Sequence, residues 1–153
     1  MHSHLEQLVT DIGDLHIKLI LLVGAGAVGK SRLLRELGTK LRVEPLNVGL
    51  ELGRRLAATP VDRRVFAAGE LLREIADRER PSDPLLLDNL ELLFEQGLHV
   101  NPLDLVRRLA HSRRVVAVWP GELRGDRLIY ANMDHPEHRD FNRDGAVILE
   151  VAR

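Results

Sequence analysis

Apolar positions along the chain fall into short unbroken runs, separated by stretches in which they recur every three or four residues. Residues 15–23 pass from alternation at Leu15, Ile17 and Leu19 to the continuous run Leu19-Ile20-Leu21-Leu22-Val23. A strand does this when it enters the buried middle of a parallel sheet, so a first strand is expected over 15–23. Behind it, Leu33, Leu34, Leu37 and Leu41 recur at helical spacing, with Arg32, Arg35, Glu36 and Lys40 on the other face, which predicts an amphipathic helix packed on the sheet. A short strand is expected around 45–49. Helices follow over 50–58 and 65–78, broken at Thr59-Pro60 because a residue before proline is pushed out of the helical region.

Pro81-Ser82-Asp83-Pro84 interrupts the pattern. Leu85-Leu86-Leu87-Asp88 behind it reads as a buried strand ending on an acid. Asn101-Pro102 has the chemistry of an N-cap with proline at the first helical position, opening a helix with Leu105, Val106 and Leu109 inside. Val115-Val116-Ala117-Val118-Trp119 is a further buried strand, stopped by Pro120-Gly121. The remaining pattern suggests a short strand at 128–130, a short helix at 136–141 and a last strand at 146–151. Strands alternating with helices predict an α/β fold, a three-layer α/β/α arrangement with a mainly parallel central sheet, since parallel strands need crossover connections.

Composition narrows this little. With 153 residues, 44% of them hydrophobic, the chain suits one domain spanning 1–153. Lys and Arg number 22 against 23 Asp and Glu, so no large net field draws it to nucleic acid or an anionic membrane, and any DNA contact would have to be local. Cysteine is absent, which removes disulfides and thiolate metal sites and fits a reducing compartment. The first 14 residues mix His, Glu, Asp and Gln among a few apolar residues, unlike a secretory leader. The longest apolar runs fall far short of the roughly 20 residues of a membrane span. A cytoplasmic location is the expectation.

Candidate chemistry begins directly after the first strand. Gly24-Ala25-Gly26-Ala27-Val28-Gly29-Lys30-Ser31 matches the pattern Gly-x-x-x-x-Gly-Lys-Ser, and it lies between a buried strand and an amphipathic helix, the context that pattern requires. Glycines let the backbone curl so that successive N–H groups face a phosphate, helped by the positive end of the following helix. The loop and the adjoining Arg32 are therefore the expected phosphate cradle for ATP. Lys30 is expected to bridge the β- and γ-phosphates, and Ser31 to offer its hydroxyl to Mg²⁺. Two alternatives stand beside this: a glycine-rich strand-to-helix turn with an incidental Lys-Ser, and a dinucleotide fingerprint, since the same residues also spell Gly-x-Gly-x-x-Gly. Lys30-Ser31, and the lack of an acid ending the second strand, argue against the fingerprint.

The second half of such a site is an acid at the end of a neighbouring strand, holding Mg²⁺ through water, and Asp88 supplies it. A core strand capped by a polar residue is the plainer alternative. Asn89 occupies the place directly after the acid, where many P-loop ATPases carry a glutamate that polarises the attacking water. Glu91, two residues on, is the candidate for that role; a solvated glutamate favoured by the dipole of a helix start is the competing reading.

These segments resemble the ATPase branch of P-loop proteins, and the order of strand, loop, helix, acid strand and residues 115–119 is similar to the core of the AAA+ class. The resemblance covers roughly residues 15–151, with specificity confined to the two Walker segments. Where AAA+ proteins end the strand after the acid on a polar γ-phosphate sensor, this chain has Trp119-Pro120-Gly121-Glu122. The helical lid with its second sensor arginine is not found after Val151. More narrowly, Leu85-Leu86-Leu87-Asp88-Asn89-Leu90-Glu91-Leu92-Leu93-Phe94, Val116-Ala117-Val118-Trp119-Pro120-Gly121 and His135-Pro136-Glu137-His138-Arg139 look similar to the small BrxF P-loop proteins of bacterial BREX phage-defence systems. That resemblance implies a component of a multi-protein anti-phage machine, working with other subunits of a defence complex. AAA+ likeness further implies homo-oligomers on nucleotide binding, with an arginine before the final core strand, Arg139 or Arg143, reaching a neighbour's γ-phosphate.

Three functions are compatible with the residues: an ATPase, an assembly module that binds nucleotide and hydrolyses little of it, and a small-molecule kinase, for which the segment 123–130 with Arg124 and Arg127 is short as a lid. A GTPase lacks its x-x-Gly switch and guanine-reading motif here. His135 and His138 approximate a metal pair without a third ligand. The doublets Arg54-Arg55, Arg63-Arg64, Arg107-Arg108 and Arg113-Arg114 read as solvated charge flanking apolar helical faces. Aromatic residues, at 3% of the chain, leave few platforms for base stacking.

Overall fold

In the computed structural model, residues 2–24, 27–130, 139–142 and 145–151 are described, those at 2, 3, 27, 28 and 139–142 by their backbone alone. A five-stranded sheet forms the middle layer: β1 (Leu19–Val23), β2 (Leu46–Asn47), β3 (Leu85–Asp88), β4 (Val115–Val118) and β8 (Val147–Glu150), in the order β2-β3-β4-β1-β8. Every pairing within it is parallel, with Leu21 level with Ala117 on one side and Ile148 on the other.

Alternate residues of each strand point to opposite faces, and both faces are covered, which explains why the sequence shows continuous apolar runs. Ile20, Leu22, Leu86, Val116 and Val118 pack with Leu5, Val9 and Ile12 at the N-terminus and with Leu33, Leu34 and Leu37 of α2 (Ala27–Leu41). Leu19, Leu21, Leu85, Leu87, Val115 and Ala117 meet α3 (Val48–Ala57), α4 (Arg64–Glu79) and α5 (Pro102–Leu109) on the other side. The five β1 side chains are fully buried. Each of these buried aliphatic side chains contributes about 1.5–3 kcal/mol of hydrophobic stabilisation.

Local chemistry fixed several boundaries as expected. Asn101 caps α5 by accepting from the Asp104 amide at 3.1 Å, with Pro102 in the first turn. Thr59-Pro60 separates α3 from the short 3₁₀ turn that leads into α4.

Four expectations need correction. Helix α1 (His2–Asp11) was not foreseen; Leu5 and Val9 face the core from it, and Ile12 follows in a 3₁₀ turn. The first strand starts at Leu19 and not at 15, because Leu15 is exposed and the chain turns before reaching its partners. A second, antiparallel sheet was only glimpsed as one strand: β5 (Glu122–Arg124), β6 (Arg127–Tyr130) and β7 (Arg139–Asn142), in that order. Gly125, at φ +58°, opens the two-residue β5–β6 turn, where type II′ turns place glycine. Finally, 139–142 are strand and not the end of a helix at 136–141: Phe141 pairs with Leu128 and Arg139 with Tyr130. So short a segment gains little from helical hydrogen bonds and more from the open edge of β6. Residues 136–138 lie outside the described residues.

Candidate functional site at the carboxyl edge of the sheet

Parallel strands deliver their carboxyl ends to one edge, and the loops leaving those ends form the crevice where α/β proteins bind ligands. Here β1 ends just before Gly24, β3 at Asp88, β4 just before Trp119 and β2 at Asn47, which is level with Asp88. Gly24 is confined on two sides. Its amide donates to the Gly121 carbonyl at 3.3 Å, and a Cβ on it would lie 2.6 Å from the Val151 carbonyl oxygen. With φ at +140° as well, the position accepts glycine alone. Ala25 and Gly26 lie outside the described residues; Ala27 and Val28 begin the α2 backbone, and Gly29 follows within it.

Lys30 sits in the first turn of α2 with only 3% of its surface exposed. Its ammonium donates to the Trp119 carbonyl at 2.7 Å and to the Gly121 carbonyl at 3.2 Å. Burial pushes the amine below its ordinary value, while Glu91, then Glu122 and Asp88, act in the opposite direction through their charge. Ser31 donates its hydroxyl to Asp88 Oδ1 at 3.0 Å, across 57 positions of sequence. The same oxygen accepts from the Asn89 amide at 2.9 Å. Asn89 itself is left-handed, at φ 58° and ψ 58°, a conformation asparagine tolerates better than most residues. That reversal starts the 3₁₀ turn Leu90–Phe94, with Leu90, Leu93 and Phe94 buried and Glu91 exposed.

The structure thus brings Lys30, Ser31, Asp88 and Glu91 together. Arg32 is not among them: its side chain is exposed and pairs with Glu36 at 3.4 Å along α2. Arg139 lies on β7 with its backbone opposite Tyr130, its side chain outside the described residues, as are Arg143, His135 and His138. Three contributors were missed by sequence reasoning. Glu122 adds its charge to the lysine's surroundings, and the carbonyls of Trp119 and Gly121 hold the ammonium. Backbone acceptors carry no side-chain signature, so only Glu122 could have been suspected, from its place just beyond Pro120-Gly121.

An aromatic group fastens this side of the site. Trp119, fully buried, meets Phe94 edge to face at 5.1 Å, and Phe94 stacks on Tyr130 at 4.1 Å. The indole N–H of Trp119 donates to the Ile129 carbonyl at 3.4 Å. The Asp88 turn, the end of β4 and the small sheet are therefore one packed unit.

Ser31 and Asp88 offer hydroxyl and carboxylate oxygens, the hard donors Mg²⁺ prefers; it characteristically uses one or two protein oxygens and completes its shell with water and phosphate. Among the described residues no group of three or more His, Cys, Asp or Glu is arranged to hold a metal, and no helix is long and apolar enough to cross a membrane. The chain matches no protein-family model, no curated protein and no solved structure.

Proposed function

We propose that the chain is a P-loop protein that binds ATP with Mg²⁺ on an AAA+-like core and hydrolyses it, serving as a switch or assembly component of a bacterial anti-phage complex of the BREX type. The Ser31–Asp88 contact carries the reading: a hydroxyl from the glycine loop and a carboxylate from a distant strand converge beside a buried lysine at the carboxyl edge of a parallel sheet. An incidental Lys-Ser in a tight turn gives no reason for that convergence. The defence-complex part rests on the sequence resemblance of the 85–94, 116–121 and 135–139 segments.

In this reading Lys30 exchanges the carbonyls of Trp119 and Gly121 for phosphate oxygens when nucleotide enters. Ser31 and Asp88 would hold Mg²⁺, which when bound neutralises charge developing on the phosphates. Glu91, which already influences the Lys30 ammonium, would orient the attacking water and accept its proton. Asn89 in the usual glutamate position favours the second reading, nucleotide-dependent assembly with little turnover.

Calorimetry with ATP and Mg²⁺ tests the proposal. Lys30→Ala should lower affinity about tenfold to a hundredfold, the range of a charged hydrogen bond lost, without loss of fold. Unchanged affinity in a folded Lys30→Ala protein rejects the P-loop reading.

A further inference from the structure

Away from the carboxyl edge, α4 and α5 flank an open cavity of about 490 Å³ whose apolar wall includes Val65, Leu72, Leu105 and Leu109. Phe66 stands at its margin with 85% of its surface in solvent, the most exposed large apolar side chain among the described residues, and Val61, in the turn that leads into α4, is 73% exposed. Phe66, Glu70, Arg73 and Asp77 all border the cavity. Their spacings of four, three and four place them on one stripe of α4. Glu70 and Arg73 carry opposite charges, are exposed, and make no hydrogen bond or ion pair among the described residues. At the far end of the stripe, Asp77 lies 3.5 Å from the Arg113 guanidinium, which is nearly buried.

We propose that this face is a homodimer interface, in which α4 packs antiparallel on α4 of a second copy and each Phe66 enters the other copy's cavity. The stripe is self-complementary. A two-fold axis midway between residues 70 and 73 sets Glu70 of each copy against Arg73 of the other, and the same axis is midway between 66 and 77. Phe66 then reaches the end of the cavity where Arg113 offers a guanidinium to an aromatic face. A patch that presents both a projecting apolar group and a hole for one, with opposite charges that meet their complements across a two-fold axis, is what an isologous contact requires. A strongly acidic or basic partner would instead call for a surface of one sign, which α4 does not provide. The interface is independent of nucleotide, because none of these residues belongs to the carboxyl edge.

Sedimentation velocity of the full chain without nucleotide, over a range of micromolar concentrations, tests this. The wild type should show a reversible monomer–dimer equilibrium. Phe66→Ser should raise the dissociation constant about thirtyfold or more, as for an aromatic anchor seated in a pocket, with an unchanged circular dichroism spectrum because the ring is exposed. Glu70→Arg and Arg73→Glu should each weaken association about tenfold, and the two together should restore it to within about threefold of wild type. A wild-type protein that stays monomeric throughout would overturn the proposal and leave the face to a different partner. So would a dimer indifferent to Phe66→Ser, or a double charge reversal weaker than either single one.

Discussion

The two sides of the Lys30 ammonium are built from different materials. Towards β3 stand side chains: Ser31 bonded to Asp88, with Glu91 beyond the Asn89 turn. Towards β4 stand backbone carbonyls, those of Trp119 and Gly121, held by an aromatic stack that ties the main sheet to the antiparallel one. In the proposed function the first side meets the nucleotide, and the second supplies support and holds the lysine through its carbonyls. Replacing residues on the first should therefore alter ligand and rate with little effect on stability, and replacing residues on the second should do the reverse.

The largest expected effect is on rate. Glu91→Gln should keep ATP bound and slow hydrolysis by about 10²–10⁴, the usual worth of general-base help. Normal turnover in a steady-state phosphate assay would return Glu91 to the role of an exposed residue in a 3₁₀ turn. A negligible rate in the wild type would favour the assembly module. On the opposite side, Trp119→Ala should cost about 3–5 kcal/mol of stability in chemical denaturation, as deletion of a large buried aromatic does. A loss below about 1 kcal/mol would contradict the support role, since isolated surface changes stay within that range.

Asp88→Asn should raise the Mg²⁺ concentration needed for half-maximal ATP binding about tenfold to a hundredfold, the cost of disturbing a residue that orients a metal's shell. An unaltered Mg²⁺ titration would remove Asp88 from that role.

The smallest effect is the one that sets the two sides against each other. Burial holds Lys30 below the ordinary lysine value of 10.5. Between the lowered value and 10.5 the unfolded chain binds more protons than the folded one, so the stability of the nucleotide-free protein should rise with pH through that window. ATP affinity should fall over the same window, because only the protonated amine attracts phosphate. Lys30→Met should flatten the contribution to both. Denaturation and calorimetry across alkaline pH would show opposite slopes; stability and affinity falling together would contradict a buried, phosphate-seeking lysine.

How much of this was legible depended on how local the signal is. Leu19-Ile20-Leu21-Leu22-Val23, Leu85-Leu86-Leu87-Asp88 and residues 115–118 announce strands buried on both faces, because burial on both faces removes the polar alternation. Asn101-Pro102 announces a helix start by side-chain and ring geometry. The N-terminal helix was legible in principle, with Leu5, Leu8, Val9 and Ile12 at helical spacing, but polar neighbours masked it. The strand at 139–142 was not, since Arg139-Asp140-Phe141-Asn142 has no periodicity of its own and becomes a strand only because β6 offers an unpaired edge.

By itself, the sequence determined the alternation of strands and helices, the glycine-rich loop between β1 and α2, and the candidate pair Lys30 and Asp88, since each follows from contacts within a few residues. Tertiary structure decided the rest. It set the order β2-β3-β4-β1-β8, brought Ser31 within 3.0 Å of Asp88 across 57 positions, and gave the buried lysine two carbonyls to rest on. It also left Phe66 in solvent beside a cavity. Strand order, and the groups that meet at a sheet edge, depend on which crossovers bury the most apolar surface together, a property of the whole chain that no local window contains.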